Sequence, residues 1–284
     1  MNCLDCRKED VEVKFFKNGY PIAYCKSCDH LYTDHKPTIQ EVNEIYSDDY
    51  FFKGGAGYDN YIIQRDMLIK RGEYYADKLS KHTLQGKVLD IGSAAGFILK
   101  GFENKGWNGT GIEPNKSMVD YGKHNLGLNL INGTIETVEV QEKFDLVIII
   151  QVLAHIFDLN SLIKKISQYL NPNGLVLIET WNKDSWTAKM FGKHWHQYSP
   201  PSTLNYYSKK TLNHFMNQQK FSIVAQGRPK KNILSDHAKS LLDHKFKEIN
   251  GFSWLSVFLK LIPNNIMLPY PSEDLFWALY RKQL

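Results

Sequence analysis

The chain of 284 residues lacks several features that would each have decided its class. No apolar run reaches the length of about 18 residues that a membrane-crossing helix needs. The opening MNCLDCRKED has no apolar segment of the signal-peptide kind, so the expected location is cytoplasmic. Strong charge is also missing. The net +5 is mild and unevenly placed, with residues 1–50 at −4 and residues 221–284 at +4. That balance argues against a nucleic-acid partner, most of all for the acidic N-terminal segment. Dinucleotide-type G-x-G-x-x-G is absent, and so is any N-P-P-Y or D-P-P-Y. No internal repeat or low-complexity segment stands out.

Cysteine is absent beyond residue 28, and its clustering before that is informative. Cys3-x2-Cys6 and Cys25-x2-Cys28 are two knuckles, each offering two thiolates. Between them Asn18-Gly19 sits in alternating sequence, a hairpin signal that brings the knuckles together. Residues 1–36 therefore read as a small zinc ribbon with Cys3, Cys6, Cys25 and Cys28 as metal ligands. A closed four-thiolate site has no open position, so the expected Zn2+ is structural. Two disulfides or a redox pair are the competing readings, and neither suits a cytoplasmic chain without βαβ context around the cysteines.

Next come two segments with different patterns. Residues 37–83 read as a helical linker and cofactor lid, with Thr38 and Glu41 forming a capping box, a glycine-rich hinge at residues 53–57 and a helix over residues 58–79. From residue 84 strands and helices alternate, which predicts an α/β domain with a parallel sheet and helices on both faces. Its organising stretch is KVLDIGSAAGFILKGFENKGWNGTGIEP, residues 87–114: strand, glycine turn, helix, strand. Small residues after Asp90 let backbone approach a ligand, and an acid ending the second strand, Glu113, can accept from both ribose hydroxyls. Further strands are expected at residues 128–131, 144–150, 175–179, 221–225 and 275–280. Helices are expected at residues 115–124, 159–170 and 208–217, with Asn171-Pro172-Asn173-Gly174 as a stop. An insertion at about 232–271 carries a helical pattern near residues 237–246 and the apolar FSWLSVFLKLIP. For that apolar stretch core packing leads, with cover over a substrate site, packing on a partner subunit and weak contact with a membrane surface as the other readings.

Taken in order, these motifs resemble the class I S-adenosylmethionine-dependent methyltransferases. Asp90, Gly92 and Gly96 match the family's D/E-x-G-x-G-x-G, with Ala94 in place of the middle glycine. Glu113-Pro114 matches the ribose motif, Thr134-Ile135 the adenine border, and Gln151-Val-Leu-Ala-His155 the segment after the fourth strand. The resemblance implies a Rossmann-like sheet, S-adenosyl-L-methionine as cofactor, and Asp90, Gly92, Ala94, Gly96, Glu113, Pro114, Thr134, Ile135 and Gln151 as its binding residues. With the ribbon, IYSDDYF and the GKHWH…PP…YYS segment, the chain further resembles zinc-ribbon-bearing methyltransferases of bacterial polysaccharide and natural-product clusters. In sugar C-methyltransferases of that kind Glu-His stands where this chain has Ser202-Thr203. Ubiquinone-type O-methyltransferases are similar through the fourth-strand region, but Gln151 and Ala154 offer no carboxylate for the divalent metal that some of them bind.

Transfer from a sulfonium to a hydroxyl or carbon needs positioning and a base. The candidates are His196, in an aromatic loop, and His155, after the fourth strand; His194 is a weaker one. Trp181, Trp195, Tyr198, Tyr206 and Tyr207 are expected to wall the acceptor, and Tyr50, Tyr58 and Tyr61 to close over the cofactor. The expected activity is methylation of a small molecule, such as a sugar or nucleotide-sugar, on oxygen or carbon. A nucleic-acid or protein methyltransferase reading through the ribbon, or a non-catalytic cofactor-binding protein, are the alternatives.

Overall fold

The computed structural model describes residues 2–52, 60–235, 239, 243, 254, 256–259, 261–263, 266–270 and 272–283. They form two compact units, one of residues 1–228 with 273–284, the other of residues 229–272.

The larger unit is built on a seven-stranded sheet. Strands β4 (Lys87–Ile91), β5 (Asn108–Glu113), β6 (Asn129–Asn132), β7 (Phe144–Ile150) and β8 (Leu170–Trp181) run parallel. β13 (Leu275–Lys282) is reversed beside β8 and pairs in turn with β10 (Phe221–Gly227), giving the order β10-β13-β8-β7-β4-β5-β6. β4 is therefore the point from which successive connections leave in opposite directions, and a crevice opens beyond the carboxyl ends of strands at such a point. Each face is covered by helices. On one side α3 (Arg65–Leu79), α4 (Phe97–Glu103) and α5 (Lys116–Leu126) pack on Val88, Leu146, Ile148 and Leu177. On the other, α6 (Leu159–Tyr169) and α8 (Lys209–Gln218) cover Leu89, Val147, Ile149 and Ile178. β7 is apolar throughout because both its faces are buried. The helix expected over residues 58–79 starts with a 3-10 turn, Tyr61–Gln64, capped by Asn60. Residues 53–59, with the expected hinge and Tyr58, lie outside the described residues. α3 crosses α4 closely: a Cβ on Gly101 would stand 2.2 Å from the Ile69 carbonyl oxygen. The tetrapeptide at residues 171–174, expected as a stop, is already part of β8, with Asn173 at φ +63 absorbing the irregularity.

The N-terminal cysteines flank the hairpin of β1 (Val11–Lys17) and β2 (Tyr20–Cys25), with Asn18 and Gly19 both at positive φ, as a tight turn requires. β3 (Leu31–Thr33) extends this sheet, and its other edge pairs with β9 (Asn205–Tyr206), a strand contributed from more than 170 residues downstream. The ribbon sheet therefore takes its fourth strand from the segment that follows β8. The segment after it carries α1 (Ile39–Ile45), with the Thr38–Glu41 capping box, and α2 (Asp48–Phe52).

In the smaller unit, β11 (Lys231–Leu234) and β12 (Met267–Tyr270) form an antiparallel hairpin closed by Ser235 and Ile266. The helical pattern near residues 237–246 lies mostly outside the described residues.

Candidate functional site

At the carboxyl end of β4 the chain turns through three left-handed positions, Gly92 at φ +71, Ala94 at +47 and Gly96 at +77. Gly92 and Ser93 N–H both donate to the Ile112 carbonyl, which ties this turn to the end of β5. A Cβ on Gly92 would meet Val152 at 2.5 Å, and one on Gly96 would meet Leu128 at 2.3 Å, so only glycine fits at either place. Ala94 adopts the same region at a cost of about 1–2 kcal/mol.

Glu113 ends β5 with its side chain nearly buried. One carboxylate oxygen accepts the Ala94 N–H at 2.9 Å, and the other accepts the Asn115 N–H at 2.8 Å. Burial pushes its pKa up to about 7 against those two stabilising donors. Asp90 is equally buried, and burial together with Glu113 pushes it up to about 8. Two carboxyls that hold protons near neutrality mark a dry, polar-ended crevice. Pro114 is half-buried beside them. Thr134 begins a turn whose N–H is capped by Thr137, and Ile135 packs its side chain in the core with Ile112.

The linker reaches the same rim. The Asn115 amide donates to the Tyr46 carbonyl and to Asp48, each at 3.0 Å, and Ser117 donates to Asp48. Phe51 packs against Tyr61, which stacks on Phe97 at the start of α4. Tyr50 is half-buried against Phe51.

Beyond β7 and β8 the site has a second half. Gln151, at φ +60, donates its side-chain amide to Glu179 at 2.9 Å, and its N–H donates to the Glu179 carbonyl. Glu179 is completely buried, and Arg71 and Tyr75 of α3 also donate to its carboxylate. These three residues were not expected. The one signal for them was an acid ending the apolar strand LVLIE.

His155 is half-buried, with Nδ1–H donating to the Ser202 carbonyl at 2.6 Å and Tyr46 edge-on to its ring. Burial pushes its pKa down, although the Ser202 and Gln151 carbonyls oppose this. His196 is 44% exposed, edge-on to Trp181, with Nε2 at 3.9 Å from the buried carboxylate of Asp274. Of the aromatic residues expected to wall the acceptor, Trp181 is half-buried at the end of β8. Trp195, Tyr198, Tyr206 and Tyr207 are instead buried in packing against or beside the ribbon, because the β3–β9 pairing draws their segment there.

A family profile described as a methyltransferase domain matches residues 64–226, more than half of the chain. The chain belongs to this methyltransferase family. Its domain is of the class I, S-adenosylmethionine-dependent type. Among curated proteins it is 30% identical over 130 residues to the ubiquinone biosynthesis O-methyltransferase of Rickettsia typhi, covering 43% of this chain and 52% of that protein. The protein of that name from Bradyrhizobium diazoefficiens is 29% identical over 103 residues, covering 34% of this chain and 41% of the relative. The chain thus spans about half the length, or less, of these relatives. Among solved structures, magnesium protoporphyrin IX methyltransferase from Synechocystis, with S-adenosylhomocysteine bound, superposes with a TM-score of 0.54 at 12% identity, over 85% of this chain and all of the other. The YcgJ protein of Bacillus subtilis also gives 0.54 at 15% identity, over 76% and 99%. Both likenesses concern the fold.

The methyltransferase crevice suits its nucleoside cofactor: the buried Glu113 offers acceptor oxygens, and the turn over residues 92–96 has no bulky side chain. The cysteines suit zinc. The four Sγ atoms lie within 4.8 Å of one another, with Cys3–Cys28 and Cys6–Cys25 at 3.6 Å. Those separations are far longer than a disulfide and close to the roughly 3.8 Å edge of a tetrahedron with about 2.3 Å Zn–S bonds. No helix among the described residues is long and apolar enough to cross a membrane.

Two measurements follow from this geometry. Metal analysis of the folded protein is expected to give one zinc per chain, and a folded, metal-free preparation is the contrary result. Protonation gives the second. Because Glu113 and Asp90 hold protons up to about 7 and about 8, the unliganded protein loses stability as pH rises from the ordinary carboxylate range toward those values. If Glu113 accepts from ribose hydroxyls as expected, its ionised form is favoured, and cofactor binding near pH 6.5 is expected to release protons. Calorimetry in buffers of different ionisation enthalpy measures this, and zero proton release would contradict the assignment.

Proposed function

We propose that this enzyme transfers the methyl group of S-adenosylmethionine to a hydroxyl oxygen of a small molecule, with a sugar or related metabolite as the acceptor class suggested by its motifs. The observation that carries the reading is that two different groups of side chains stand at the carboxyl ends of neighbouring parallel strands, β4 and β5 on one side and β7 and β8 on the other. A buried Asp90/Glu113 pair suits a nucleoside, and next to it lies an acceptor end bearing Gln151, Trp181 and His196. Relatives named O-methyltransferases support oxygen as the acceptor atom.

In this reading Glu113 holds the ribose, the turn over residues 92–96 supplies backbone close to the amino-acid portion, and Thr134 and Ile135 border the adenine. Gln151 is held by Glu179 and orients the methionine and acceptor side. Methyl transfer forms the acceptor O–CH3 bond as the S–CH3 bond breaks. The bonding pair stays on sulfur, leaving a neutral thioether. His196 takes the hydroxyl proton. It suits this role better than His155, whose Nδ1 is already committed to the Ser202 carbonyl. An imidazole near neutrality is well matched to such a transfer. Asp274 stands where it can stabilise the imidazolium that forms.

Incubating the protein with labelled S-adenosylmethionine and a fractionated small-metabolite pool, followed by mass identification of the product, is expected to give an O-methylated metabolite. Label on carbon, on nucleic acid or on protein would overturn this reading. With the acceptor in hand, His196→Ala is expected to lower turnover about 10²–10⁴-fold with cofactor affinity unchanged. Wild-type turnover in that variant would remove His196 as the base.

A further inference from the structure

The zinc ribbon has so far only a structural role, yet its packing reaches the acceptor end. His196 lies on a loop whose neighbouring residues are anchored in the ribbon. Trp195 is 1% exposed and Tyr198 is 8% exposed, in one cluster with Ile22 and Leu31 of the ribbon strands and with Tyr206. Phe15 on β1 meets Tyr198 edge-on at 5.1 Å, and Tyr198 in turn meets Trp195 and Tyr206 at 5.3 and 4.8 Å. Polar contacts fix the same segment. The Asn18 amide at the hairpin tip donates to the Pro200 carbonyl at 3.2 Å. Thr33 donates its N–H to the Leu204 carbonyl and its hydroxyl to the Thr203 carbonyl. The segment is clamped from its other side as well, because Leu204 N–H and the Asn205 amide donate to the Ala154 and Ile156 carbonyls after β7.

We infer that the ribbon is a wall of the acceptor site, seating the loop of residues 195–206, and that Phe15 is a positioning residue for His196. A free-standing recognition module would be joined to the enzyme by a linker. Here a β-ladder, an aromatic cluster and at least three side-chain hydrogen bonds join the two, and they converge on the residues that flank His196. Such a base must be held to a fraction of an ångström, since a displacement of about 1 Å costs on the order of 10²-fold in rate. The cofactor end is held mainly by other elements, with a tie to this loop that runs from Asn115 through Tyr46 to the Ser202 carbonyl. Asp90, Glu113 and the turn over residues 92–96 are held by β4, β5 and the α5 cap, none of which is part of the ribbon sheet.

This inference rests on the proposed role of His196 and is tested partly without it. Phe15→Ala removes the ring against Tyr198, whereas Phe16→Ala on the same strand removes a side chain that is 67% exposed. Hydrogen–deuterium exchange across residues 195–206, zinc content, cofactor affinity by calorimetry and acceptor kcat/KM are measured for each. Phe15→Ala is expected to speed exchange in that loop and lower kcat/KM at least ~10-fold. Zinc is retained and cofactor Kd stays within about twofold. Phe15→Leu recovers most of the loss and Phe16→Ala matches wild type. Asn18→Gly keeps the left-handed turn but removes the Pro200 contact, and it is expected to shift exchange and kcat/KM in the same direction if Phe15→Ala does not fold. Unchanged exchange and kcat/KM in both variants overturns the inference. A parallel loss of cofactor affinity also overturns it, because the effect would then be global. If the wild-type protein methylates no small molecule, the proposed function fails while the exchange data still decide whether the ribbon seats the loop.

Discussion

The Glu113 carboxylate is the joint on which the cofactor half of the molecule depends. Its two oxygens accept backbone N–H groups from two different turns, Ala94 after β4 and Asn115 after β5. Each such bond to a charged acceptor contributes about 1.5–3 kcal/mol when the group is ionised, so the carboxylate fixes the spacing of the turns as well as offering itself to a ribose. Burial opposes ionisation, and Asp90 close by adds like-charge repulsion, which is why both carboxyls hold protons near neutrality. A ligand that supplies hydroxyl donors relieves the desolvation that the unliganded fold tolerates. Asn115 then extends the joint outward, since its side chain caps α5 and holds Tyr46 and Asp48 of the linker.

The acceptor half follows a different rule. A fully buried carboxylate, Glu179, is satisfied by Arg71, Tyr75 and Gln151, drawing together α3, β8 and the turn after β7. Removing Arg71 would leave the buried carboxylate without its opposite charge and cost about 3–5 kcal/mol. The cluster is therefore a rigid post beside a more exposed edge where Trp181, His196 and Asp274 meet. In the proposed reading, a rigid cluster beside an accessible edge suits in-line transfer from a held cofactor to an exchangeable acceptor.

Much of this was legible in the sequence because it rests on local pattern. The strands and helices from residue 87 onward follow hydrophobic period and caps, and Asp90, Gly92, Gly96 and Glu113 sit where strand ends and left-handed turns place them. The Asn18-Gly19 hairpin and the Thr38–Glu41 capping box were equally local. What the sequence hid was long-range. Nothing in the two residues Asn205 and Tyr206 signals a strand, because their partners in β3, Tyr32 and Leu31, lie more than 170 residues earlier. That one pairing turned Trp195, Tyr198, Tyr206 and Tyr207 from expected acceptor wall into packed core. Glu179, Arg71 and Tyr75 were missed for the same reason: three residues on α3 and β8 become one group only when the helix crosses the strand ends. The Asp274–His196 pair likewise needs β13 to lie beside β8.

The account stands most directly on Glu113 as the cofactor's ribose acceptor. Calorimetric titration of S-adenosylhomocysteine into the wild-type protein and into Glu113→Gln tests it, since the amide has one acceptor oxygen where the carboxylate has two. The thermal stability of each protein, measured beside it, separates loss of a turn contact from loss of the ribose contact. A fall in affinity of at least ~10-fold, equivalent to about 1.4 kcal/mol, is the predicted result. Equal affinity in the two proteins would contradict it.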